Sequence, residues 1–236
     1  MKKAPSDNRP IRATSSRFKR GGPRAKKFDV LRLPELMHRL ELTYPEAACA
    51  LNHRNAYEIL VATVLSAQCT DARVNQVTPA LFRRYPTPRT LSRASQPEVE
   101  EMIRSTGFFR NKARNLIGMA KKLMLDYGGE VPQRLEQLIT LPGVARKTAN
   151  VVLGVIWSVA SGVVVDTHVQ RISRLLGLTR QTDPAKIERE LMSLVPQERW
   201  IRFSHQLIYH GRRICIARRP QCAACSLSDL CESSTV

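Results

Sequence analysis

The stretch LPGVARKTANVVLGVIWSVASGVVVDTH, Leu141 to His168, decides how the rest of the chain is read. Pro142-Gly143 predicts a very short turn, and an apolar helical pattern follows it with Lys147 in its first turn. Glycine lets the backbone turn tightly and brings N–H groups to the surface. The helix that follows leaves its first amides unpaired and points the positive end of its dipole outward. Together these form an anion site that holds a phosphate without reading sequence. LPG alone would be an ordinary helix–helix turn; Arg146 and Lys147 directly after it favour function. At the far end Val163-Val164-Val165 gives way at Asp166 to a second helical pattern, where a carboxylate serves as an N-cap.

Working outward, the 236 residues suffice for a substantial core in one or two domains. The composition, 43% hydrophobic and 25% charged, is that of an ordinary globular protein, but the net charge of +18 is not. Such a surplus points to a polyanionic partner, nucleic acid or an anionic membrane surface, over charge that merely solubilises. No run approaches the roughly 18 apolar residues that a membrane span needs. Half of the surplus lies in residues 1–27, where ten lysines and arginines face the single acid Asp7. That tail is expected to be disordered on its own. It reads as a sequence-blind electrostatic arm, a solvated tail or an organellar transit peptide.

From Phe28 onward the periodicity is helical. A first short helix is expected on Leu31, Leu36, Leu40 and Leu42, ending near Tyr44-Pro45. Residues 56–68 are apolar on several faces and predict a buried central helix. Further helices are expected over 71–85, with Pro86 and Pro88 at its exit, over 96–105, and over 111–127 before Gly128-Gly129. Residues 131–140 predict the helix leading into the Pro-Gly turn, and 169–176, 184–194 and 198–213 follow Asp166. The only candidate strands are runs such as Val163 to Val165, so the fold class is all-α.

Four of the six cysteines crowd into the last tenth of the chain, as Cys215-x6-Cys222-x2-Cys225-x5-Cys231. The N-terminus has no apolar signal-peptide core, so a reducing compartment is expected and metal ligation precedes disulfides. Four thiolates in this span could hold zinc or a [4Fe–4S] cluster, although the spacing does not match the paired short spacings of common zinc folds.

The string LPGVARKTA looks like a helix-hairpin-helix motif, and with VVVDTH downstream it resembles the endonuclease III family of DNA glycosylases. The cysteine spacing matches the cluster loop of that family residue for residue. The resemblance spans Phe28 to Glu232 and departs at Ala145, where the family pattern has a second glycine. Alanine disfavours positive φ, so the turn must keep φ negative here or carry strain. The resemblance implies two all-α domains: a six-helix barrel with the hairpin over residues 48–160, and a [4Fe–4S] cluster domain built from 28–47 and 161–236. It implies Cys215, Cys222, Cys225 and Cys231 as cluster ligands, with Arg212, Arg213, Arg218 and Arg219 around the loop.

The resemblance also carries a chemistry. Lys147 matches the catalytic lysine and Asp166 the catalytic aspartate. A free lysine near pKa ~10.4 is protonated and cannot attack carbon. The helix dipole, Arg146 and desolvation by docked DNA would all favour the neutral amine. Attack at C1′ then gives a Schiff base and β-elimination. A plain phosphate contact by Lys147 is the simpler alternative. Gly143, Ala145, Arg146 and His168 are expected DNA contacts. Chemistry at C1′ requires the nucleotide to leave the stack. Gln68 aligns with the family's wedge glutamine and Phe108 with an apolar wedge, though Phe108 could equally be a core aromatic and Phe109 the wedge. Asp71 is a weaker candidate for the base pocket. The implied protein is a monomeric, bifunctional glycosylase and abasic-site lyase for oxidised pyrimidines in duplex DNA, working in the bacterial cytoplasm. A mismatch or adenine glycosylase and a non-catalytic DNA-binding paralogue are the alternatives.

Overall fold

The computed structural model describes residues 29–236, so the basic tail of residues 1–27 lies outside the described residues. After one 3-10 turn at Val30–Arg32, the helices are α1 (Leu33–Thr43), α2 (Ala56–Leu65), α3 (Asp71–Arg84), α4 (Pro88–Ser92), α5 (Gln96–Ile103) and α6 (Phe109–Tyr127). They continue with α7 (Leu135–Leu138), α8 (Arg146–Trp157), α9 (Thr167–Leu175), α10 (Pro184–Leu194) and α11 (Trp200–Arg213). No strand occurs among the described residues, and none of their helices is long and apolar enough to cross a membrane.

Three elements differ from the sequence expectation by more than two residues, each for a local reason. The central helix stops at Leu65, not at residue 68, because Gln68 takes a left-handed backbone with φ 53°. The helix expected over 131–140 shrinks to the four residues of α7, with Arg134 still extended before it. Pro132 disfavours helix in the residue ahead of it. Pro88, read as an exit, instead starts α4, where Thr87 and Thr90 cap one another reciprocally. In α1, Leu33, Leu36 and Leu40 face inward, while Leu31 and Leu42 are exposed. Val163 to Val165 is extended without a partner strand; the Val164 N–H donates to Ser204 Oγ at 3.0 Å.

The buried side chains form two clusters. One runs from Leu51 to Leu153 and is centred on α2, in which every residue from Tyr57 to Leu65 is buried. The other joins Leu33–Ala47 of the chain start to Val163–Leu230 of its second half. The chain therefore leaves the second cluster, builds the first, and returns. α8 belongs to the first cluster and α9 to the second, so the link between them, which holds Val163 to Asp166, runs along the junction.

α1 is clamped to α11 by one carboxylate. Glu41 accepts hydrogen bonds from Arg199, Arg202 and Gln206, each at 2.8 Å. The Arg202 guanidinium, aided by Gln206, holds the Glu41 carboxyl below its ordinary value of 4.5. A carboxyl depressed in the folded state adds stability above its unfolded pKa and loses it as pH falls through the folded pKa. Urea midpoints should fall more steeply for the wild type than for Glu41→Gln between about pH 5 and pH 3. At neutral pH the partly exposed clamp contributes no more than about 1 kcal/mol.

Candidate active site

The hairpin is α7, the turn of residues 139–145, and α8. Gly143 has φ 77°, and a Cβ there would lie 2.9 Å from Cβ of Asn115 on α6. Both the dihedral and the space demand glycine. Ala145 is extended, at φ −85° and ψ 167°, and occupies the N-cap of α8. The family's second glycine is therefore replaced without strain, because this position does not use positive φ. Ala145 supplies no capping side chain, so the first turn of α8 has no side-chain acceptor.

Lys147 stands exposed in that first turn. Asp166 is the N-cap of α9, and its Oδ1 accepts the N–H groups of His168 and Val169, both at 2.8 Å. Lys147 and Asp166 open into one cleft, which Asp71, His205 and Arg212 also line. Arg212 donates to Asp71 at 2.6 Å, so α11 and α3 are joined across it. Burial pushes the His205 imidazole below its usual pKa. His205 carries no signal in the sequence: only the packing of α11 on α9 brings it near Asp166.

Arg146 differs from expectation. Its Nε donates to both carboxylate oxygens of Glu188 at 3.0 Å, so its guanidinium is engaged with α10. Glu188 itself accepts from Asn150 Nδ2 at 2.9 Å. His168 is half-buried, and its ring lies so close to Gly211 that a Cβ there would sit 2.7 Å from Nδ1.

Gln68 and Phe108 lie on two exposed turns. They are two of three non-glycine residues with positive φ among the described residues, at 53° and 48°. Left-handed backbone is uncommon for such residues and concentrates at functional sites. Phe108 is 64% exposed, which removes the core-aromatic alternative. Phe109 packs against the core instead, with Arg104 and Arg110 over its ring.

The four C-terminal cysteines line one apolar cavity with Ile172, Leu176 and Leu227. Burial raises the thiol pKa of Cys215, Cys225 and Cys231, whereas a hydrogen bond from Thr235 lowers that of Cys222. Four thiols around one apolar cavity suit a cluster whose irons each take one thiolate.

A family model of HhH-GPD superfamily base excision DNA repair proteins matches residues 61–197, which hold the hairpin, Lys147 and Asp166. A second model, the iron-sulfur binding domain of endonuclease III, matches residues 215–231. Endonuclease III of Synechocystis sp. is 55% identical over 86% of this chain and 93% of its own length. That of Bacillus subtilis is 47% identical over 80% and 86% respectively. Among solved structures, a non-covalent endonuclease III–DNA complex superposes with a TM-score of 0.83 at 43% identity, covering 87% of this chain and 96% of that one. A trapped endonuclease III–DNA covalent intermediate gives the same TM-score at 44% identity and the same coverage. The chain belongs to the endonuclease III family of helix-hairpin-helix DNA repair glycosylases, which are also abasic-site lyases, and its cofactor is a [4Fe–4S] cluster.

Gly143→Ala should be the most damaging small change in the hairpin. It forces alanine into positive φ and against Asn115, at a cost of about 1–3 kcal/mol. A lowered melting temperature together with weakened binding to duplex DNA, by fluorescence anisotropy, is the expected result. A hairpin that tolerates it in both would contradict this geometry.

Proposed function

We propose that this protein removes oxidised pyrimidines from duplex DNA and then cleaves the strand, with Lys147 as nucleophile and Asp166 as its partner. The observation that carries this reading is the shared cleft: Lys147 leads off α8 of one core, Asp166 caps α9 of the other, and both open into the same space. We read the chain as a barrel domain over 48–160 and a cluster domain over 28–47 with 161–236, a division that the two buried clusters support.

The order of events follows from the chemistry. The α8 N-terminus and the Gly143 turn grip a backbone phosphate, beside Arg146, whose Nε is held by Glu188. Side chains at Gln68 and Phe108 fill the gap as the damaged nucleotide turns out of the stack. Neutral Lys147 attacks C1′, the glycosidic C–N bond breaks, and the base leaves with a proton. Asp166, fixed in place by two helix amides, stabilises positive character at C1′ and moves protons. Ring opening gives a Schiff base. Loss of a C2′ proton then expels the 3′ phosphate, and water releases the lysine. Cys215, Cys222, Cys225 and Cys231 would hold the cluster, which organises the basic loop around Arg218 and Arg219 against phosphates. The bacterial relatives support a cytoplasmic site of action.

A non-catalytic DNA-binding role is disfavoured by the lysine and aspartate in one cleft, and an adenine specificity by the lysine itself. Borohydride should trap a covalent adduct between the wild type and an oligonucleotide containing thymine glycol. Lys147→Ala should abolish it. Asp166→Asn keeps an oxygen that can cap α9 but loses the charge. It should melt like the wild type while base removal falls by about 10²–10³-fold. An undiminished adduct with Lys147→Ala would refute the mechanism.

A further inference from the structure

α6 buries a lysine. Lys112 is only 5% exposed, on the helix face that also buries Leu116 and Met119. A leucine or methionine would fill such a position without removing a charge from water. Its ammonium is instead directed at two carbonyls. Nζ donates to the Leu65 oxygen and to the Thr106 oxygen, each at 2.8 Å. Its backbone N–H donates to the Phe108 oxygen at 3.0 Å.

The two acceptors have a specific place in the chain. Leu65 is the last residue of α2, three before Gln68, and Thr106 ends the 3-10 turn two residues before Phe108. Each acceptor therefore stands at the base of one exposed turn whose tip is left-handed. The Phe108 turn carries two positive φ values in succession, 70° at Gly107 and 48° at Phe108. A cation at the C-terminal end of α2 also meets the carbonyls the helix leaves unpaired. Nothing in the hairpin or the cleft uses this lysine. Thr106 is itself buried, and its hydroxyl donates back to Ile103 at 2.8 Å, so the anchor on that side is rigid.

We infer that Lys112 is a positioning residue, which ties the Gln68 and Phe108 turns together at fixed spacing so that they enter the duplex as one two-pronged wedge. The inference rests on the reading of Gln68 and Phe108 as the inserted side chains. Lys112 touches neither DNA nor the reacting atoms; it sets the register in which two separate turns meet the two strands.

The test separates extrusion of the nucleotide from chemistry. Lys112→Met removes the ammonium while keeping an unbranched side chain. Single-turnover base removal would be measured on a duplex carrying thymine glycol, with 2-aminopurine beside the lesion to report unstacking. Borohydride trapping on a single-stranded abasic oligonucleotide reports Lys147 chemistry that needs no wedge. The expected result is a fall of about 10–100-fold on the duplex, with loss of the unstacking signal, as two buried carbonyls lose their donor. Trapping on the single strand should stay within about threefold, and Lys112→Arg, which can still donate to both carbonyls, should restore most of the duplex rate. Adding Lys112→Met to a Gln68→Ala, Phe108→Ala double variant should cause no further loss.

Equal losses on single strand and duplex, full additivity with the double variant, or a wild-type duplex rate would each overturn the inference. Should Lys112→Met not fold, Lys112→Gln carries the same comparison, since it is one bond shorter and cannot span both carbonyls. A double variant as active on duplex as the wild type would refute insertion itself. An impaired double variant beside an unimpaired Lys112→Met would refute only the role of Lys112.

Discussion

Glu188 holds the two halves of the molecule in register. Its carboxylate is nearly buried on α10, yet it accepts from Arg146 and Asn150, which both belong to α8. Ser161, in the link between α8 and α9, donates to the same Asn150 at 2.9 Å. The link also passes so close that a Cβ on Gly162 would lie 2.1 Å from Glu188 Oε1. A buried carboxylate is tolerated only when it is paired and hydrogen-bonded. Here the pairing fixes the start of α8 against the second core. Lys147 follows Arg146 directly, so the ion pair that spans the halves also sets where the amine stands relative to Asp166.

That arrangement explains the division of labour in the site. In the proposed mechanism the backbone of the hairpin handles phosphate, the cleft handles C1′, and two separate turns handle the stack. None of these tasks shares a side chain with another. Asp166 is the one residue with a double duty, since its carboxylate both starts α9 and faces the cleft. The cap holds it in place by two short bonds to amides, so its charge is fixed in position before any substrate arrives.

Much of this was legible in the sequence where local chemistry is decisive. Pro142-Gly143 announced the turn, Asp166 the cap, and the cysteine spacing the cluster loop. Helical periodicity placed α3 and α10 within a residue. The failures came where a backbone or a partner distant in sequence overrides a local pattern. Gln68 looks like the end of a buried apolar helix, but its left-handed backbone puts it in the turn beyond that helix. Arg146 looks like a free phosphate ligand because Glu188 is 42 positions away. Lys112 stands in an apolar stripe, which was a usable signal: a lone charge on a buried face asks which acceptors it reaches. The answer, carbonyls on α2 and before α6, depends on packing that no spacing encodes.

Ala145 has a consequence for the helix it precedes. Five of the eleven helices begin on a side chain that accepts their amides: Asn55, Thr70, Thr87, Asp166 and Asp183 do so for α2, α3, α4, α9 and α10. α8 begins on a methyl group. If a phosphate of the duplex binds where the hairpin is built to receive it, that phosphate becomes the missing acceptor and completes the helix. The first turn of α8 would then be firmest in the complex and loosest in the free protein. Lys147 belongs to that turn, so the order of its side chain would be coupled to occupancy of the grip, while the Arg146–Glu188 pair keeps the start of the helix in place.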